Sequence, residues 1–131
     1  NLFNEKNNGE TLLKLIDNNL IKSAHDVSLG GLITAVAKMC IKGKKGININ
    51  KPKYLINEIE YLFAEDQGRY IIEINNKDFK KVADILNKNA VHFDELGTII
   101  ENELYINDKT KVTIDELSTS NKSWLNNYMS K

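Results

Sequence analysis

Apolar residues recur at helical spacing from Gly9 to Leu20. Leu12, Leu13, Leu15, Ile16 and Leu20 carry that pattern, which predicts a first helix there. The polar residues 1–8 ahead of it read as irregular. Ile21 to Ala24 reads as a short strand that runs into His25-Asp26. A second helix spans about Leu32 to Lys42. Its polar residues Thr34, Lys38 and Lys42 fall four apart on one narrow stripe, and the rest is apolar or small, the pattern of a helix buried over most of its surface. Gly43 and Gly46 bracket a turn, and Gly46-Ile47-Asn48-Ile49 alternates like a strand. Pro52 suits the first turn of a helix carrying Tyr54, Leu55, Ile59, Leu62 and Phe63.

Arg69 to Ile74 has strand periodicity, with Tyr70, Ile72 and Ile74 on one face and Arg69, Ile71 and Glu73 on the other. Asn75 or Asn76 is placed to cap the next helix, whose buried stripe is Phe79, Val82, Ala83 and Leu86. Residues 91–114 read as three short strands, with breaks near Glu101-Asn102 and Asn107-Asp108-Lys109, and His92 falls in the first of them. Asp115 is placed to cap a last helix with Leu117, Trp124, Leu125 and Tyr128 on one side, the two aromatic residues reading as core. The fold class that follows is α+β: helices packed on a mixed, largely antiparallel sheet, in one domain over residues 1–131.

Composition narrows the partners. Eighteen basic and eighteen acidic side chains cancel, so nothing electrostatic points to a nucleic acid or a membrane surface. No apolar run approaches the roughly 20 residues that span a bilayer. A single cysteine, Cys40, leaves no partner for an internal disulfide, and its apolar helical setting predicts a buried, inert thiol. The first residues are not a signal peptide, and the missing initiator methionine points to a fragment or a processed product.

Two segments carry candidate chemistry. In Ser23-Ala24-His25-Asp26-Val27-Ser28-Leu29-Gly30-Gly31-Leu32 a strand ends and a serine and two glycines open a helix. Helix starts carry unpaired N–H groups and partial positive charge, and glycines allow close approach, so a phosphate suits such a place. Ser28 reads as the N-cap, and Asp26 as a cation holder or as the group that orients His25. The same residues also serve a structural end: a cap at Ser28, relief of crowding at Gly30 and Gly31, and a backbone hydrogen bond at His25. The second segment, Leu62-Phe63-Ala64-Glu65-Asp66-Gln67-Gly68-Arg69-Tyr70, joins a helix to a strand. Carboxylates at Glu65 and Asp66 suit a magnesium ion, and the Arg69 guanidinium suits a phosphate or carboxylate. The alternative is a solvated turn in which Arg69 pairs with Glu73.

Together, Ser-Ala-His-Asp-Val-Ser-x-Gly-Gly-Leu, the apolar helix, the glycine turn and Leu-Phe-Ala-Glu-Asp-Gln-Gly-Arg-Tyr resemble the last domain of the phosphoribosylformylglycinamidine synthase family. The resemblance covers about residues 10–130 and includes Leu96-Gly97-Thr98-Ile99 and the ending Trp124-Leu125-Asn126-Asn127-Tyr128-Met129. That family usually has Asp where this chain has Leu29. The resemblance implies an AIR synthetase C-terminal domain-like fold, and a cytoplasmic ligase that amidates formylglycinamide ribonucleotide with ATP, magnesium and glutamine-derived ammonia. It implies that this domain is inactive and binds no cofactor tightly by itself, and that its partners are the preceding domains of the same chain, a separate glutaminase subunit and a small accessory subunit. His25, Asp26, Ser28, Gly30, Gly31 and Arg69 become candidate phosphate- or nucleotide-facing residues, and Glu65 and Asp66 candidate metal ligands. The family has two pseudo-symmetric clefts, and either one is open to this domain. Two other readings stand beside it: a structural or interaction module that completes a parent fold, and another enzyme of the same superfamily, such as aminoimidazole ribonucleotide synthetase.

Overall fold

The first helix, α1, is longer at its start than its apolar pattern predicts. It runs over Leu2–Asp17, so residues 2–8 are helical and not irregular. Glu5 stands in its first turn, where a carboxylate complements the helix dipole. Asn7 Nδ2 donates to the Asn89 carbonyl (2.7 Å) and Asn8 Nδ2 to the Gly68 carbonyl (3.0 Å), so the polar turns are held by distant partners. The helix stops before Leu20. Asn19 turns left-handed at φ 54, Leu20 N–H donates to Leu15 O, and Asn19 N–H donates to Ile16 O. This is a Schellman stop with asparagine at its left-handed position.

The computed structural model describes residues 2–50, 52, 57–66, 68–107 and 109–130, with Leu125 described through its backbone alone. They form two compact units, one of residues 1–35 and 62–94, the other of residues 36–61 and 95–131.

In the first unit, β1 (Ser23–Asp26) pairs antiparallel with β3 (Tyr70–Glu73), with Asp26 opposite Tyr70 and Ser23 opposite Glu73. The strand β1 starts two residues later than its pattern predicts, while Lys22 N–H still donates to Glu73 O. A short 3-10 turn at Asn76–Asp78 leads into α4 (Phe79–Lys88). Asn75 occupies the capping position there without a side-chain cap bond. Leu15, Leu20, Val82 and Leu86 form the core of this unit, with Ile21, Ile72, Ile74, Ile85, Val91 and Phe93 packed against it. Val82 and Leu86 are buried as the stripe predicts, whereas Phe79 is exposed, at the helix's first residue.

The second unit is built on a four-stranded sheet of order β4-β2-β5-β6, made by β2 (Gly46–Ile49), β4 (Gly97–Ile100), β5 (Glu103–Ile106) and β6 (Thr110–Thr113). The central pair β2·β5 is parallel and both outer pairs are antiparallel. Mixed and largely antiparallel pairing is what the pattern implies. The three strands expected over 91–114 are all present, but residues 91–96 are not strand, so His92 lies in an exposed connection.

Two helices are divided between the units. α2 (Gly31–Gly43) places Cys40 in the interior, and burial pushes its thiol up to about 11. α3 (Glu58–Phe63) begins later than Pro52, because Asn57 Oδ1 accepts from the N–H groups of Ile59 and Glu60 and caps it. Tyr54 and Leu55, expected on that helix, lie outside the described residues, as do Gln67 and Asp108.

The last helix, α5 (Ile114–Met129), is capped by Thr113 and not by Asp115. Thr113 Oγ1 accepts from Glu116 N–H while Glu116 Oε2 accepts from Thr113 N–H, a complete capping box. Trp124 and Tyr128 are not core: they are 60% and 70% exposed, their rings 6.4 Å apart.

Candidate functional site

Strand pairing brings the two candidate segments side by side. β1 ends at Asp26 and β3 begins at its partner Tyr70, so the chain leaving β1 and the chain entering β3 emerge together. Val27 N–H donates to Arg69 O at 2.9 Å and continues the ladder by one bond. Between the two segments lies a cavity of about 400 Å³ lined by Asp26, Val27, Ser28, Leu29, Glu65, Gly68, Arg69 and Tyr70.

Beyond Leu29 the backbone takes two left-handed steps, Gly30 at φ 86 and Gly31 at φ 69. Gly31 packs against backbone: a Cβ there would lie 2.6 Å from the Phe63 carbonyl carbon. Only glycine meets both demands, and this sets the start of α2 directly on the end of α3. Ser28 contributes its carbonyl, which accepts from Gly31 N–H at 2.9 Å. Thr34 Oγ1 closes the turn by donating to Gly30 O at 2.9 Å. Gly30 N–H points at an anion, the Glu65 carboxylate, whose Oε1 accepts at 2.7 Å.

The other candidates divide. Asp26, Ser28, Glu65 and Arg69 line the cavity, while His25 is set back in β1. His25 Nδ1 lies 2.6 Å from the Asp26 carbonyl oxygen, a contact in which Nδ1 carries the proton, and 3.6 Å from Asp26 Oδ1. His25 thus makes the backbone hydrogen bond that its structural reading expects, and the Asp26 carboxylate lies farther off. Arg69 pairs with Asp66 (3.7 Å) and not with Glu73, which instead accepts from Ser23 Oγ at 2.9 Å. Pairing β1 to β3 sets Glu73 opposite Ser23, and this draws its carboxylate away from Arg69. His92 Nε2 lies 3.4 Å from Asp94 and takes no part in the cavity. Leu29, 80% exposed, forms an apolar rim.

Glu65 and Asp66 each make a contact within the protein. One faces an amide and the other a guanidinium, and among the described residues no group of three His, Cys, Asp or Glu side chains is placed to hold a metal ion.

Sequence reasoning missed the support that α1 gives to Gly68. Asn8 holds the Gly68 carbonyl, and Glu5 lies where a side chain on Gly68 would fall. Two adjacent asparagines ahead of a glycine were the available signal, in a segment read as irregular.

A family model described as "AIR synthase related protein, C-terminal domain" matches residues 1–109. The chain belongs to this family. Among relatives of this AIR synthase C-terminal domain, the phosphoribosylformylglycinamidine synthase subunit PurL of Pelagibacter ubique is 66% identical over 129 residues, 98% of this chain and 18% of the relative. A Thermotoga maritima PurL complexed with FGAR superposes with TM-score 0.75 at 23% identity, over 87% of this chain and 21% of that one. A T. maritima PurL complexed with AMPPCP gives 0.74 at 22% identity, over 86% and 21%. A chain of the T. maritima PurLQS structure gives 0.74 at 21% identity, over 87% and 21%. These likenesses establish the AIR synthase C-terminal fold. The chain spans about a fifth of the length of each relative. Among the described residues no helix is long and apolar enough to cross a membrane.

Proposed function

We propose that this domain is the C-terminal part of a phosphoribosylformylglycinamidine synthase, and that it works only with the remainder of that enzyme. The observation that carries the reading is the 66% identity to the P. ubique subunit across 98% of the chain. In this reading the parent converts formylglycinamide ribonucleotide, ATP and ammonia to formylglycinamidine ribonucleotide, ADP and phosphate in the cytoplasm. It draws ammonia from a glutaminase subunit and docks a small accessory subunit. The domain supplies one wall of a cleft: the start of α2 with Ser28, Gly30 and Gly31, flanked by Asp26 and His25, and faced by Arg69. Such a wall orients and neutralises a phosphate without entering covalent chemistry, which is most of what phosphoryl transfer asks of a protein. Arg69 is the natural phosphate contact, provided that it exchanges Asp66 for the ligand. In this reading Glu65 and Asp66 would hold a magnesium ion only together with groups from the rest of the enzyme or the substrate phosphates.

The test is a chimera. This chain replaces the matching segment of the P. ubique subunit, and ammonia-dependent ADP release is measured with formylglycinamide ribonucleotide and ATP. Turnover within about tenfold of the parent is expected, with none from the 131-residue chain alone. Asp26→Ala in the chimera is expected to lower turnover while leaving the melting temperature nearly intact. A folded but inactive chimera contradicts the reading. Unchanged turnover in Asp26→Ala, or loss matched by unfolding, favours a structural module.

A further inference from the structure

We propose that Glu65 is a carboxylate clasp that holds the loop between α3 and β3 closed on the start of α2. The loop is anchored near its ends by other means. At Phe63 its backbone lies against Gly31, and at the far end Gly68 O accepts from Asn8 Nδ2 and Arg69 O from Val27 N–H. Asp66 is spent inside the loop on Arg69. Glu65 is the attachment in between, reaching across 35 residues of sequence to Gly30 N–H at 2.7 Å.

Three features make this contact specific. Gly30 takes a left-handed φ of 86, and its N–H meets a side-chain acceptor 35 residues away. The first turn of α2 contains no acidic residue of its own, so no neighbour competes for the positive end of the helix. A charged acceptor at this length makes a stronger bond than a neutral one. Gly30 and Glu65 thus fix the spacing of the two cavity walls, residues 26–29 and 68–70. Arg69 and Asp66 are carried on the segment that the clasp positions. The clasp occupies Glu65 Oε1. The inference concerns the unliganded chain and stands apart from the reading given above: a chain that keeps the clasp while the folded chimera shows no turnover sinks that reading alone.

The experiment is residue-resolved amide exchange and NMR on the 131-residue chain. In the unsubstituted chain, Gly30 N–H is expected to be protected, with a through-bond coupling from its nitrogen to the Glu65 carboxylate carbon. Glu65→Ala is expected to speed Gly30 exchange about tenfold, while amides of α4 and the melting temperature stay unchanged. Glu65→Gln keeps a carbonyl acceptor at the same reach and is expected to keep Gly30 within about threefold of the unsubstituted chain. Equal Gly30 exchange in the unsubstituted and Ala chains overturns the clasp, as does a Gln chain as fast as the Ala chain. Should the Ala chain fail to fold, absence of the coupling together with unprotected Gly30 exchange in the unsubstituted chain overturns it.

Discussion

Two helices of this protein begin in opposite ways. α5 is capped by its own sequence: Thr113 and Glu116 exchange hydrogen bonds within one turn. α2 (Gly31–Gly43) begins behind left-handed Gly30, and the carboxylate that meets the Gly30 amide, just ahead of the helix, comes from Glu65 on another element. A local box makes a helix start self-sufficient and commits it to stability. A borrowed carboxylate instead ties the helix start to a loop, so the two move or hold together. The residues just ahead of the helix, Ser28 and Leu29, line a cavity with Asp26 and Arg69. A site that must receive a partner group from elsewhere is better served by the second arrangement.

The contrast can be broken hardest at Gly31. Gly31→Ala puts a Cβ against Phe63 backbone and forces a left-handed alanine. The expected loss is roughly 2–4 kcal/mol in denaturant unfolding; a loss below about 0.5 kcal/mol would show that the glycine pair is not a packing requirement. Thr113→Ala removes the local box and should cost about 1 kcal/mol, with reduced helix signal but no change in Gly30 exchange.

Acid distinguishes the two starts further. The Thr113 backbone N–H, and then its hydroxyl, hold the Glu116 carboxyl below its ordinary value of 4.5. A folded value below the unfolded one stabilises above the unfolded value and loses that contribution as pH falls through the folded one. Fraying of α5 is therefore expected only below about pH 4.5, and Glu116→Gln should flatten that acid limb.

The smallest effect concerns a helix end. α4 stops in a Schellman turn with Ala90 left-handed at φ 53, its N–H donating to Asn87 O and Val91 N–H to Leu86 O. Ala90→Gly should stabilise by about 0.5–1 kcal/mol, as a small rise in melting temperature.

What could be read from the chain depended on whether the cause was local. β4, β5 and β6 were legible because polar turns punctuate short apolar runs, and α2 because its polar stripe is so narrow. The insertion of β2 between β4 and β5 was not, since nothing in either strand names its neighbour. The first turns of α1 were missed because their partners, Asn89 and Gly68, are far along the chain. The Thr113–Glu116 box was in plain sight, two residues before the cap that was chosen. Trp124 and Tyr128 have helical spacing suited to a core, yet α5 leaves them in solvent. At the site, both motifs were identifiable as candidates, but their adjacency follows from β1·β3 register, and the choice of Asp66 over Glu73 by Arg69 follows from Ser23.

The most direct measurement is a crystal structure of the chimeric P. ubique enzyme with a non-hydrolysable ATP analogue and formylglycinamide ribonucleotide. The account predicts an anionic group of one of them within hydrogen-bonding distance of Ser28, Arg69 or the first amides of α2. A cavity filled instead by protein from the neighbouring domains, with no anion at the tip of α2, would contradict it.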